Sequence, residues 1–449
     1  MKMSISKLSL ENYGVPLLII LLPTYLVRFE IFGIPFTLLE ISFFGVFLFW
    51  LVKKYNNKGF SKQYFSKRLK YPFSLAIVFF VLSSFIGLAV NGFSNAALGI
   101  YKAYFIEAVL FYVLVFNFYK KVKNRERLHR SLAVVALWVS LWALVQKIFG
   151  IYWSGGENEL RVTGPFTYPN ALGLFLGPIS VFLYFYFINL VKDGCPIFIK
   201  DKFYNLFIAI TFFLSVGAIY FARSEAALGA VLLAIFFGSI FLSKRFAVVF
   251  ISLGVLASIV ILTNQNLKTF TFEKIQLKDF SGEVRKQQWR ETGEMLKNDL
   301  NFISGCGLSG YQDCISSYHQ EGIFFNAERD PDFRRKIVIF DDKYKAQHWR
   351  PVEIYLYPHN IFLNFWTELG IVGLFSFFFL VIQYIYFGIK LLKKKNHIII
   401  IGFLAVLLEI FIHGMVDVPY FKNDLAFLWW LLFALMGVYW VEQRLEDSK

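Results

Sequence analysis

The chain has 449 residues, 57% of them hydrophobic and 20% aromatic, with a mean hydropathy of +0.55. Charged residues make up 17%, well below the quarter or so of a soluble chain, which excludes an ordinary soluble globular protein. The formal net charge of +15 raises nucleic acid as a partner, and the distribution of that charge argues against it.

A membrane-spanning helix needs about 20 apolar residues, and the chain offers twelve apolar segments that approach this length. In order they lie near 12–27, 31–52, 72–91, 97–118, 131–150, 169–191, 203–222, 224–243, 246–263, 360–389, 397–416 and 424–441. The pair 203–243 also reads as one broken helix. The opening stretch MKMSISKLSLENYG precedes an apolar run with no small-residue cleavage site, so the first segment is read as an anchor and not as a removable signal. The expected fold class is an all-α polytopic integral membrane protein of about twelve transmembrane helices. It forms a single domain, 1–449, with one large extracytoplasmic loop, 264–358, containing short helices.

Twelve spans put both termini on one side. If that side is cytoplasmic, the inner connections hold 26 of the 46 Lys and Arg residues against seven acidic ones. The remainder of the chain has 20 basic and 24 acidic residues, so the whole positive excess lies on one face. That is the positive-inside bias of a membrane protein, and it leaves no basic surface for nucleic acid. The 264–358 loop carries 14 basic and 14 acidic residues and lies outside. Its stretch GCGLSGYQDC contains Cys306 and Cys314, which an oxidising exterior would join in a disulfide; two unpaired small residues are the alternative. Cys195 falls on the inner side.

Polar groups that are costly beside lipid collect at the outer boundary. Arg161 precedes a Gly-Pro turn, and Tyr168-Pro169-Asn170 opens the next apolar segment. Arg223 and Glu225 stand at the hinge of two segments, and His359-Asn360 opens the segment that begins near 360. SGEVRKQQWRETGEMLKNDL (281–300) reads as an amphipathic helix with Trp289, Leu296 and Leu300 on one face and Arg285 a turn before Trp289. His413 and Asp417 are four residues apart at a helix end. Each has a plainer reading: a turn anchor for Arg161, a pair with Glu225 or a neighbouring helix for Arg223, an interfacial cap for His359, a helix-stopping pair for His413 and Asp417. Together they suit an anionic lipid head group. Guanidinium forks match phosphate oxygens, helix starts present free N–H groups, and an imidazole takes a hydroxyl proton at neutral pH.

The ordered set RVTGPFTYPN, ARS, R-x3-W with a following GCGLSGY, and PHNIFLNFWTELGIVG resembles the O-antigen ligase/polymerase family of bacterial membrane glycosyltransferases. The resemblance spans about 155–424. It implies a GT-C-like enzyme of the cytoplasmic membrane, with both termini cytoplasmic and the active site facing the periplasm or exterior. The implied donor is an undecaprenyl-diphosphate-linked glycan, and the implied acceptor is a lipid-anchored sugar or another glycan. It casts His359 as the base and Arg285 as the loop arginine that closes over the donor. Arg161 and Arg223 become diphosphate ligands, with Asn170, Asn360, Trp289, His413 and Asp417 around them. Transfer is implied to invert the anomeric centre without cofactor or metal.

Two other readings compete. Asp330-Pro331-Asp332 and Asp341-Asp342 imitate carboxylate pairs that hold a divalent cation, but Arg329, Arg334 and Arg335 lie beside the first pair. A lipid-linked-sugar flippase would carry charge through the membrane, and Lys102, Glu107, Glu40 and Glu409 are its candidates, scattered and without visible pairing. His319 and His348 read as loop surface.

Overall fold

The structure, a computed structural model, describes residues 10–31, 34–58, 71–152, 160–192, 199–339, 342–394 and 398–448. Cys195 and Asp341 lie outside the described residues. Each of the twelve apolar segments falls on a helix. Seven described helices are long and apolar enough to cross a membrane, and Ser74–Val90, Glu225–Ile240 and Ile398–Gly414 are shorter apolar helices. Leu10–Ile20 and Leu38–Lys58 complete the series. The chain is a multi-pass membrane protein, and 203–243 is two helices, Ile199–Phe221 and Glu225–Ile240.

The expectation of an all-α chain needs a small correction. Arg28–Ile31 pairs antiparallel with Ile34–Thr37, and Gly322–Phe324 pairs antiparallel with Trp349–Pro351. Both ribbons lie between helices. A second correction concerns 119–130. The helix expected from 131 starts at Val122, because its basic first turns are amphipathic: Leu128 and His129 are buried while Arg125 reaches Glu442.

At the centre of the bundle lie Pro169–Lys192, Ile398–Gly414 and Asn423–Asp447, which bury most of their residues, whereas Lys244–Thr263 buries none. The aromatic content supplies much of the core. Trp429, Trp430, Tyr112, Tyr384 and Tyr420 are all under 2% exposed.

One backbone break fastens the 264–358 segment to this bundle. The Ile361–Lys394 helix is interrupted at Gly370 (φ 70°, ψ −176°), a conformation essentially confined to glycine. The opening admits the turn that follows Asp299–Ser304. Cys306 N–H donates to the Thr367 carbonyl (2.6 Å) and Ser309 N–H to Glu368 Oε2 (2.8 Å). The approach is so close that a Cβ on Gly370 would stand 2.2 Å from the Ile303 carbonyl oxygen. On its other side the turn meets Ser74–Val90, where Leu308 N–H donates to the Gly87 carbonyl (3.0 Å) and Asn91 Nδ2 to the Leu308 carbonyl (2.7 Å). The loop is thus held against two helices through backbone groups.

Candidate functional site

The Phe280–Leu296 helix is capped by Asp279, whose side chain accepts from Gly282 N–H. Its buried stripe is Val284, Gln287, Gln288, Glu291, Thr292, Met295 and Leu296, at the spacing of one helix face. Four of these are polar, and every one has a partner. Gln287 donates to Glu291 (2.8 Å), Thr292 meets the Tyr311 hydroxyl (2.9 Å), and Glu291 accepts from Gln320 N–H (2.9 Å). Gln288 meets His359. The expected Trp289–Leu296–Leu300 face does not form, because the helix ends at Leu296 and Leu300 is 72% exposed on the next short helix. Asn298 caps that next helix, its side chain accepting from Leu300 N–H.

His359 stands at the end of the segment, half-buried, with φ 45°, a left-handed conformation that costs a non-glycine residue energy. Asn360, and not His359, caps the Ile361–Lys394 helix: its Oδ1 accepts from Phe362 N–H (3.0 Å) and Leu363 N–H (3.1 Å). Trp289 Nε1 donates to the Pro358 carbonyl (2.9 Å), and Asn360 Nδ2 donates to the Met415 carbonyl (3.0 Å), so both neighbours of His359 are tied down. The imidazole itself is flanked by Tyr355 and Tyr357, with ring centroids 5.0 and 4.9 Å away.

The tautomer follows from its partner. His359 Nδ1 lies 2.9 Å from Gln288 Oε1. With the carboxamide in this orientation the oxygen only accepts, so Nδ1 carries the proton and Nε2 keeps its lone pair. Nε2 has no hydrogen bond among the described residues. Burial holds the imidazole below its usual value; Asp417 opposes this and Arg285 reinforces it. A neutral imidazole with an open Nε2 is the state a general base requires.

Arg285 Nε donates to the Val416 carbonyl (2.8 Å) and Nη1 to Ser281 Oγ (2.6 Å), which fixes the guanidinium beside His359 and leaves further N–H groups for a ligand. Asp417 is 2% exposed, accepts from Val418 N–H (2.8 Å), and acts electrostatically on both His359 and Tyr357. His413 does not share its surroundings. The helix ends at Gly414, and His413 faces Glu409 inside the bundle, Nδ1 to Oε1 3.5 Å. The pairing of His413 with Asp417 is therefore corrected: the four-residue spacing spans the helix end, where the chain leaves its helical path.

Arg161 reaches the same region from another direction. Nε donates to the Ala222 carbonyl (2.8 Å) and Nη2 to Asn170 Oδ1 (2.8 Å), with the Arg223 carbonyl at 3.4 Å. It thereby ties the 222–224 turn to the start of the Pro169–Lys192 helix. Arg223 sits in that turn at φ 48°, its side chain exposed and without a hydrogen bond or ion pair among the described residues. The alternative pair with Glu225 is not formed, since Glu225 takes Lys274 (2.5 Å). From the same helix start the Tyr168 hydroxyl lies 3.4 Å from that of Tyr357. This contact brings the Arg161–Asn170 segment to the histidine.

Other expectations are corrected. His319 and His348 are not loop surface. His319 has Glu291 Oε2 3.3 Å from Nδ1 and the Val352 carbonyl 2.9 Å from Nε2, so neither nitrogen is open to substrate; His348 is 6% exposed. Asp330 is engaged by Lys336 and Tyr344 (both 2.6 Å), not by its arginine neighbours, and the Lys336 hydrogen bond is the main cause holding it down at about 2. Arg329 turns to Glu273 (2.8 Å). Lys102, Glu40 and Glu107 are not scattered: the ammonium lies 3.3 Å from Glu40 and 3.9 Å from Glu107. Among the described residues no group of three or more His, Cys, Asp and Glu is arranged to hold a metal. Cys306 and Cys314 have Cα atoms 6.1 Å apart, a separation a disulfide bridges.

Gln288 is a residue of this candidate site that sequence reasoning missed. A glutamine in an amphipathic helix reads as solvent-facing, and only the buried 284–287–288–291 spacing marks it. No curated protein matches the chain. Residues 210–378 match the family model described as O-antigen ligase, a stretch that includes Arg223, Arg285, Trp289, His359 and Asn360, whereas Arg161, Asn170, His413 and Asp417 lie beyond it. Over residues 210–378 the chain is thus similar to the family described as O-antigen ligase.

Proposed function

We propose that this protein is an O-antigen ligase-type glycosyltransferase, acting on an undecaprenyl-diphosphate-linked glycan at the outer face of the cytoplasmic membrane. The observation that carries this reading is the His359 imidazole, set by Gln288 as a neutral base with Nε2 open, beside Arg285. A sugar hydroxyl on the acceptor gives its proton to Nε2 as its oxygen bonds to the anomeric carbon of the donor. The bond from that carbon to the diphosphate oxygen breaks, and its electron pair leaves with the diphosphate. Direct attack of this kind inverts the anomeric centre. Arg285 and Arg223 meet the growing charge on the diphosphate, and Arg161 sets the turn from which Arg223 projects. Guanidiniums do not titrate at working pH and need no metal to hold phosphate.

The twelve helices are read as twelve spans with both termini cytoplasmic. The 264–358 segment then lies outside, where Cys306 and Cys314 would be oxidised. A polymerase would use the same groups and differ in its acceptor, a second lipid-linked glycan in place of a lipid A-core sugar. The glycan profile of a deletion strain separates them. Free long lipid-linked glycan with uncapped core supports ligation. Single repeat units on the core would assign polymerisation, and an unchanged profile would remove the protein from the pathway altogether.

A further inference from the structure

The connection from Gly414 to Asn423 ends on a lysine that the reaction above does not use. Lys422 precedes the Asn423–Asp447 helix in extended conformation (φ −152°, ψ 153°). Its ammonium donates to the Tyr168 hydroxyl and lies over the Tyr168 ring, 3.9 Å from the centroid. Among the described residues no carboxylate lies within ion-pair distance of it. The anion that acts on it is Asp424, at longer range.

A half-buried ammonium set against the phenol of Tyr168 has lost hydration without gaining a counter-ion within ion-pair distance. Tyr168 places it close to the chemistry, since the Tyr168 hydroxyl is 3.4 Å from that of Tyr357 and the Tyr357 ring is 4.9 Å from the His359 ring. The cation is thus two phenols away from the base. Arg161 cannot supply this charge alone, because Nε and Nη2 already donate to Ala222, Asn170 and Arg223. A diphosphate carries two charges and gains a third as it leaves, so it needs further cations.

We propose that Lys422 binds the diphosphate of the lipid-linked donor, positioned by Tyr168. This rests on the glycosyl-transfer reading. Tyr168 accepts from the ammonium and so keeps its own hydroxyl proton for Tyr357 or a phosphate oxygen. Burial lowers the lysine from its ordinary value, so its charge is lost at a pH where arginines stay charged. The ionisable groups around it are Asp424, Tyr168 and Tyr357, whose phenol burial pushes up. Arg28, Tyr25 and Tyr104 gather about Asp424, and Glu40 is reached through Asn423.

The test measures binding of undecaprenyl diphosphate to the full chain in nanodiscs, without turnover. Lys422→Met should weaken binding about tenfold or more, and Lys422→Arg should recover most of it. Wild-type affinity should fall as pH rises from 7 to 9.5, and Lys422→Arg should remove that fall. Wild-type affinity in Lys422→Met, or a pH dependence that persists in Lys422→Arg, overturns the proposal. If Lys422→Met does not accumulate, the comparison of wild type with Lys422→Arg decides alone. Absence of diphosphate binding by the wild type overturns the glycosyl-transfer reading as well, whereas binding that ignores Lys422 overturns only this assignment.

Discussion

Replacing Gln288 by Leu removes a single acceptor and leaves the shape of a buried side chain nearly intact. Gln288 is 4% exposed and its Oε1 is 2.9 Å from His359 Nδ1. Without it the Nδ1 proton either stays buried without a partner or moves to Nε2, which turns the base into a donor on the substrate side. Leaving one buried group unsatisfied costs about 1–3 kcal/mol, and each 1.36 kcal/mol is tenfold in rate. The expected loss in kcat is therefore about 5- to 160-fold, with little change in donor KM. The assay is transfer from a purified lipid-linked donor to acceptor by the reconstituted protein, followed across pH. Gln288→Leu should lower the acid limb, since the imidazolium loses an acceptor, and Gln288→Glu should raise it: a carboxylate beside Nδ1 favours the imidazolium, so the neutral, active form is lost at a higher pH than in the wild type. If Gln288→Leu kept kcat within about twofold and kept the wild-type acid limb, the tautomer argument would be wrong.

In the wild type the acid limb should have its midpoint below 6.5, the ordinary value from which burial lowers His359. The His359 contribution is complete above that value and disappears as pH falls through the depressed one; a midpoint above 6.5 in the same assay would contradict the burial. Asn360→Ala removes a helix cap and the bond to the Met415 carbonyl, and a thermal melt in detergent should show about 1–2 kcal/mol lost. Gly370→Ala puts a Cβ 2.2 Å from the Ile303 carbonyl at φ 70°, so accumulation of folded protein in membranes should drop sharply; normal accumulation would contradict the observed break. Arg285→Lys keeps the charge but not the bond to the Val416 carbonyl, and donor KM should rise about tenfold.

How legible this site was varies from residue to residue, and for physical reasons. Apolar runs of span length announced the helices, and the loop arginine and the His-Asn pair fall at the candidate site. Arg285, Trp289, His359 and Asp417 meet there. What the sequence hid was direction. Arg161 reads as a phosphate ligand, yet its hydrogen bonds to carbonyls show a residue that holds the 222–224 turn. His413 reads as a partner of Asp417 at helical spacing, but the helix stops at Gly414. Gln288 and Lys422 were invisible because their burial depends on contacts across the fold, to His359 71 residues away and to Tyr168 254 residues away. The ribbons and the break at Gly370 were likewise set by tertiary packing that local propensity does not record.

The most direct measurement compares wild type with His359→Ala in one reconstituted system, reading both transfer and donor binding. The account requires that the variant bind the undecaprenyl-diphosphate-linked glycan with nearly wild-type affinity and fail to transfer it. Undiminished transfer by His359→Ala would show that another group takes the acceptor's proton, and the assignment of the site would be wrong.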